Sequence, residues 1–126
     1  MNNRAVFTES APKPIGPYSQ AVISQGWVFT SGQLGIDPAT GELVPGGVKA
    51  ETEQVFRNLE RVLAAAGSGL DRVVKVTVFI TDIGQFTQVN EVYARFFRAP
   101  FPARTTVEVA ALPKGAGVEI EVVAEV

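Results

Sequence analysis

Between Phe101 and Glu121 the chain places an arginine, Arg104, just behind Pro102, and a glutamate, Glu119, between Val118 and Ile120. A planar guanidinium grips a small carboxylate through two parallel hydrogen bonds. A nearby carboxylate can move a proton or hold a water. Together these groups supply much of what is needed to hydrolyse a molecule that is already reactive. Each also has a plainer explanation. Arg104 fits a surface arginine paired with Glu108. Glu119 and Glu121 fit the outward row of a half-exposed strand. Strand alternation puts Arg104, Thr106 and Glu108 on one face and Thr105, Val107 and Val109 on the other. If the strands bearing Arg104 and Glu119 formed a hairpin, the pair would stand about six positions apart, roughly 20 Å. A shared site therefore requires a crossover within the sheet or a meeting between subunits.

Further candidates lie upstream. Tyr18 follows Gly16-Pro17 in a stiff loop, where its hydroxyl closes a pocket or its ring caps the core. Ser31-Gly32-Gln33 ends a strand, and glycine there permits close approach of backbone to a ligand, or serves only a turn. Asn90 interrupts an apolar helix face; its amide needs partners, and it either ties down a loop or borders a pocket. Trp27, Phe79, Phe86 and Tyr93 read as packing residues.

Composition narrows the chemistry. The 126 residues, one domain over 1–126, contain no cysteine and no histidine. Thiolate nucleophiles, zinc–thiolate sites, Ser–His triads and HExxH sites are thereby excluded. A carboxylate-only metal site has no tight acidic cluster to form it. The net charge is −2 with no run of Lys or Arg, so an electrostatic footprint for nucleic acid is missing. The N-terminus lacks the apolar core of a signal peptide, and no apolar run approaches the ~20 residues of a membrane span. A cytoplasmic location is expected. Charged residues make up 19% against a hydrophobic fraction of 46%, which points to an oligomer.

The elements that must position these residues follow from periodicity. Three prolines make Ala11–Tyr18 a loop. Ser19–Ser24 and Trp27–Ser31 read as strands joined by a tight turn at Gln25-Gly26. Gly32–Gly47 reads as a long, turn-rich loop. Val55, Phe56, Leu59, Val62, Leu63 and Ala66 recur at helical spacing within a helix over Val48–Ala66, which Gly67 stops. Val73–Ile80 reads as a strand covered on both sides, with Val74, Val76, Val78 and Ile80 on one face and Val73, Lys75, Thr77 and Phe79 on the other. Asp82 caps a second helix over Ile83–Phe97, whose buried face carries Phe86, Val89, Tyr93, Phe96 and Phe97. Two strands, Arg104–Ala110 and Val118–Val126, close the chain. The result is an α+β domain with one layer of helices on one face of a mostly antiparallel or mixed sheet. No third helix is available for the other face, and a second copy of the chain is the simplest cover.

Taken together, Ile15-Gly16-Pro17-Tyr18-Ser19-Gln20-Ala21, Thr30-Ser31-Gly32-Gln33, Phe86…Val89-Asn90…Tyr93…Phe96-Phe97 and Phe101-Pro102-Ala103-Arg104…Leu112-Pro113-Lys114…Val118-Glu119-Ile120-Glu121 closely resemble the reactive intermediate deaminase A family (RidA, also called YjgF). The resemblance runs over essentially the whole chain in order. It implies a chorismate mutase-like fold and a homotrimer with clefts between subunits. It also implies hydrolysis of small 2-imino acids such as 2-iminobutanoate and 2-iminopropanoate to 2-keto acids and ammonia, without cofactor or metal. By the same resemblance, Arg104 binds the substrate carboxylate and Glu119 positions water or transfers a proton. Tyr18, Ser31, Gly32 and Asn90 line the cleft, and the backbone around Thr106 helps hold the water. Many members acting on imines carry cysteine at the position of Thr106 and a small residue at that of Thr105, so any thiol role is absent here. Two other readings stay open: a carboxylate-binding or regulatory trimer without turnover, and the ribonuclease or translation-inhibitor activity of some relatives. Acidic charge and the lack of histidine weigh against the latter.

Overall fold

A computed structural model of the chain describes residues 3–126. Met1 and Asn2, the start of the polar N-terminus noted above, lie outside the described residues. The strands are β1 (Arg4–Val6), β2 (Ala21–Ser24), β3 (Trp27–Thr30), β4 (Gln33–Leu34), β5 (Ile36–Asp37), β6 (Glu42–Leu43), β7 (Val73–Ile80), β8 (Ala103–Glu108) and β9 (Val118–Glu125), and the helices are α1 (Gly47–Ala65) and α2 (Phe86–Phe96). The main sheet runs β1-β2-β3-β9-β7-β8, with β4 also paired to β9. Neighbours pair antiparallel except β7 and β8, which are parallel. The sheet is therefore mixed, and α1 and α2 layer onto one face, as the order of elements predicts.

Local chemistry accounts for the elements. The β2–β3 turn uses Gln25 at φ 52° and Gly26 at φ 84°, the pair of left-handed residues a two-residue hairpin demands. Helix α1 buries Val55, Phe56, Leu59, Val62 and Leu63 completely. It ends where Gly67 turns left-handed and Ser68 N–H reaches back to the Leu63 carbonyl. Asp82 accepts from Gly84 N–H at 2.9 Å, capping a single 3₁₀ turn that leads into α2. The α-helix proper thus starts at Phe86 rather than Ile83. Lys49–Glu91 and Arg95–Glu53 ion pairs tie the exposed flanks of the two helices together.

Further readings change. The N-terminal β1 was not legible, because Arg4–Val6 is a strand only through its edge pairing with β2. Within Gly32–Gly47, β4 pairs with β9 and β5 with β6, so the stretch is partly ordered into short strands. In β7 a register shift between Val73 and Lys75 turns Val74 outward to 38% exposure and Val73 inward to 8%. From Val76 onward the alternation holds: Val76, Val78 and Ile80 are fully buried under the helices.

The opposite sheet face carries Trp27, Phe29 and Val107, exposed at 38%, 47% and 39%. Trp27, expected to pack, lies on this open face within the single chain. Among the described residues no helix is long and apolar enough to cross a membrane.

Candidate functional site

Arg104 and Glu119 are built into different faces of one sheet. Arg104 sits opposite Val76 in the β7–β8 ladder and so points to the helix side. Its Nη1 donates to Asn90 Oδ1 at 2.8 Å. The guanidinium lies 4.6 Å from the Tyr93 ring centre and 5.2 Å from that of Phe86. A hydrogen bond and two aromatic faces orient it, and it lines a recess of about 500 Å³ with Asn90, Tyr93, Phe101 and Pro102. Asn90, the polar break in the helix face, is the guanidinium's anchor. Tyr93 is a core residue, and with the half-buried Phe86 it forms the guanidinium's platform.

Two buried hydroxyls flank this arginine without a hydrogen-bond partner among the described residues, those of Tyr93 and Thr106. Burial pushes the Tyr93 hydroxyl above its ordinary value of 10.0, with Arg104 pulling the other way. It stays a neutral phenol at physiological pH.

Glu119 stands opposite Phe79 on β7 and Leu34 on β4, on the face away from the helices. It lines a cleft of about 600 Å³ together with Tyr18, Ser31 and Gly32. A Cβ on Gly32 would lie 2.7 Å from the Glu119 carboxyl carbon, so only glycine lets the backbone pass here. Ser31 has its own work: its hydroxyl donates to the Ser19 carbonyl at 2.6 Å and its N–H to the Gln20 carbonyl at 2.9 Å, fixing the corner that carries Gly32. Burial, and secondarily the like charge of Glu121, pushes the Glu119 carboxyl above its ordinary value of 4.5. A carboxyl whose pKa is raised in this way holds a proton more readily than a free one, which suits it to proton transfer.

The crossover that the hairpin geometry called for exists, since β7 lies between β8 and β9. It does not unite the pair. Arg104 is level with Val76, which is level with Val122, three residues from Glu119. The Cα atoms are thus roughly 14 Å apart across two strand spacings, with side chains on opposite faces. Within one chain the structure brings together Arg104, Asn90 and Thr106 on one side, and Tyr18, Ser31, Gly32 and Glu119 on the other.

Sequence reasoning missed Gln20, which is 1% exposed and uses its whole amide. Its Oε1 accepts from Thr8 N–H at 2.7 Å, and its Nε2 donates to the carbonyls of Thr8 and Pro12 at 3.0 and 2.9 Å. It ties the segment walling the cleft to the top of β2. The signal available was a polar residue leading directly into the apolar run Ala21–Ile23.

Comparison with known proteins places this geometry. The family model described as endoribonuclease L-PSP matches residues 8–126. A RutC family protein of Pyrococcus horikoshii is 51% identical over 119 residues, covering 94% of each chain. The 2-iminobutanoate/2-iminopropanoate deaminase of Capra hircus is 52% identical over 121 residues, covering 96% of this chain and 88% of that one. The crystal structure of RidA from Psychrobacter sp. PAMC 21119 superposes with a TM-score of 0.94 at 47% identity, covering 98% of this chain and 99% of that one.

Proposed function

The chain belongs to the endoribonuclease L-PSP family, the family of RidA and YjgF proteins, and from that premise we propose that it is a hydrolytic deaminase of 2-imino and enamino acids, such as 2-iminobutanoate and 2-iminopropanoate. The observation that carries the proposal is the pair of half-sites: an oriented guanidinium on one face and, on the other, a partly buried carboxyl lining a cleft. Each is incomplete alone. Two copies, the Arg104 recess of one against the Glu119 cleft of the next, make a whole site. The exposed Trp27, Phe29 and Val107 supply the apolar face through which copies associate, as a homotrimer in the family's manner.

The chemistry needs few groups, because an imine conjugated to a carboxylate is already electrophilic. Arg104 binds the carboxylate through two N–H donors, with Asn90 holding its plane. Tyr18 and Gly32 border the reacting carbon, and the backbone at Thr106 helps hold the water. Glu119 takes a proton from that water as its oxygen bonds to C2, and delivers the same proton to the imine nitrogen as the C=N π bond breaks. The resulting carbinolamine collapses as the C–N bond breaks. In that step Glu119 takes the carbinolamine's hydroxyl proton and gives it to the departing amine, leaving a 2-keto acid and ammonia. Positioning and one proton shuttle carry the rate. RNA cleavage has less support, since the chain has no histidine and a net charge of −2.

The test is ammonia and keto-acid release from freshly generated 2-iminobutanoate and 2-iminopropanoate by wild type, Arg104→Ala and a blank. Release above the blank by wild type alone is expected. If wild type matches the blank on a folded, assembled protein, the deaminase is wrong and a carboxylate-binding assembly takes its place.

A further inference from the structure

Two exposed apolar side chains stand at the mouths of the half-sites. Phe101 is 61% exposed and lines the Arg104 recess, three residues before the guanidinium-bearing position. Ile15 is 83% exposed and lines the Glu119 cleft beside Tyr18, itself 51% exposed. Scattered exposed apolar residues are ordinary. These lie on the two surfaces that a shared site must bring face to face. The Ile15 segment is also fixed in place: the Gln20 amide holds Thr8 and Pro12, Ala11 is 1% exposed, and Tyr18 N–H bonds the Gly16 carbonyl at 2.8 Å. A ring three residues from Arg104 is within roughly 10 Å of it along extended chain, so it travels with the guanidinium into the neighbouring cleft.

We propose that Phe101 of one copy packs on Ile15 and Tyr18 of the next and forms the wall that meets the substrate's side chain. The proposal rests on the shared-site reading above and names the residue that sets its selectivity. With the carboxylate on Arg104 and the reacting carbon beside Glu119, the third substituent on C2 points to the remaining wall. Its apolar part is continued by Pro12, Ile36 and Pro38, and the exposed Glu9, Lys13 and Lys114 also line the cleft. It suits 2-imino acids with small, uncharged, apolar side chains. A phenyl ring already in place leaves little room for a second one.

The absence of cysteine makes the contact directly measurable. Copies carrying Phe101→Cys are reassembled with copies carrying Ile15→Cys and treated with a short bismaleimide. A cross-linked dimer is expected on a denaturing gel, and none from either variant alone. In parallel, Phe101→Ala raises kcat/KM for the 2-imino acid of phenylalanine relative to 2-iminopropanoate by about ten-fold, the scale of hydrophobic-pocket discrimination, with Phe101→Leu between. An absent cross-link, or an unchanged ratio in an active enzyme, overturns the proposal while leaving the deaminase standing. A chain that cross-links without any turnover sinks the deaminase and keeps the Phe101–Ile15 contact.

Discussion

On the proposed reading Arg104 and Glu119 divide the work, and separate substitutions resolve the division. Arg104→Lys keeps the charge and loses the fork, so KM rises about ten-fold or more while kcat changes less. Glu119→Gln keeps size and polarity and loses the proton shuttle, so kcat falls by roughly 10²–10⁴ with little change in substrate affinity. The raised Glu119 pKa adds a pH signature. Activity through the carboxylate form falls toward acid with a limb above 4.5, and Glu121→Gln moves that limb down because it removes a like charge. The stability effect runs the opposite way. The folded carboxyl holds its proton more tightly than the unfolded one, so its contribution is full below 4.5 and is lost as pH rises through the raised value. Glu119→Gln is therefore at least as stable as wild type at neutral pH, and the advantage closes in acid; thermal melts across pH check it. Gly32→Ala places a Cβ 2.7 Å from the Glu119 carboxyl carbon and displaces it, costing about 10²-fold in turnover with the fold kept. Wild-type turnover in that variant would remove Glu119 from the reaction.

At the scale of elements, Asn58 shows how the fold holds the cleft. It is fully buried in α1, and its Nδ2 donates to the carbonyls of Leu34 and Ile36 at 3.2 and 2.9 Å. This fixes β4 against β9 at the level of Glu119. Asn58→Leu leaves those carbonyls unpaired, at about 1–3 kcal/mol each, and denaturant midpoints should fall accordingly. Elements that depend on near neighbours were readable from sequence. Helix α1 follows from its apolar stripe and Gly67, β7 from its apolar run, and the β2–β3 turn from Gln25-Gly26. Elements defined by a distant partner were not. The two-residue β4 exists only through its pairing with β9, while β5 and β6, a local pair, are too short at two residues each to show alternation. The outward turn of Val74 is a slip against β9 that no local pattern encodes. The site was legible in the same uneven way. Alternation put Arg104 and Thr106 on one face; residue type and position picked out Tyr18, Ser31, Gly32, Asn90 and Glu119, and the resemblance gave them roles. That Arg104 and Glu119 face opposite ways depends on β7 entering between β8 and β9, a long-range pairing.

For the whole molecule, the central claim is that one chain holds two halves of different sites. An open face with Trp27, Phe29 and Val107 exposed costs free energy in water unless another copy covers it. Phe29→Glu should yield monomers in sedimentation, and turnover should disappear with assembly although every site residue is intact. The most direct measurement is complementation between Arg104→Ala and Glu119→Gln copies. Each variant alone is expected to be inactive. Unfolded, mixed in equal amounts and reassembled, they should regain turnover in about a quarter of the clefts, those pairing an intact Arg104 with a neighbour's intact Glu119. No recovery in a mixed assembly of confirmed size and fold would contradict the shared site.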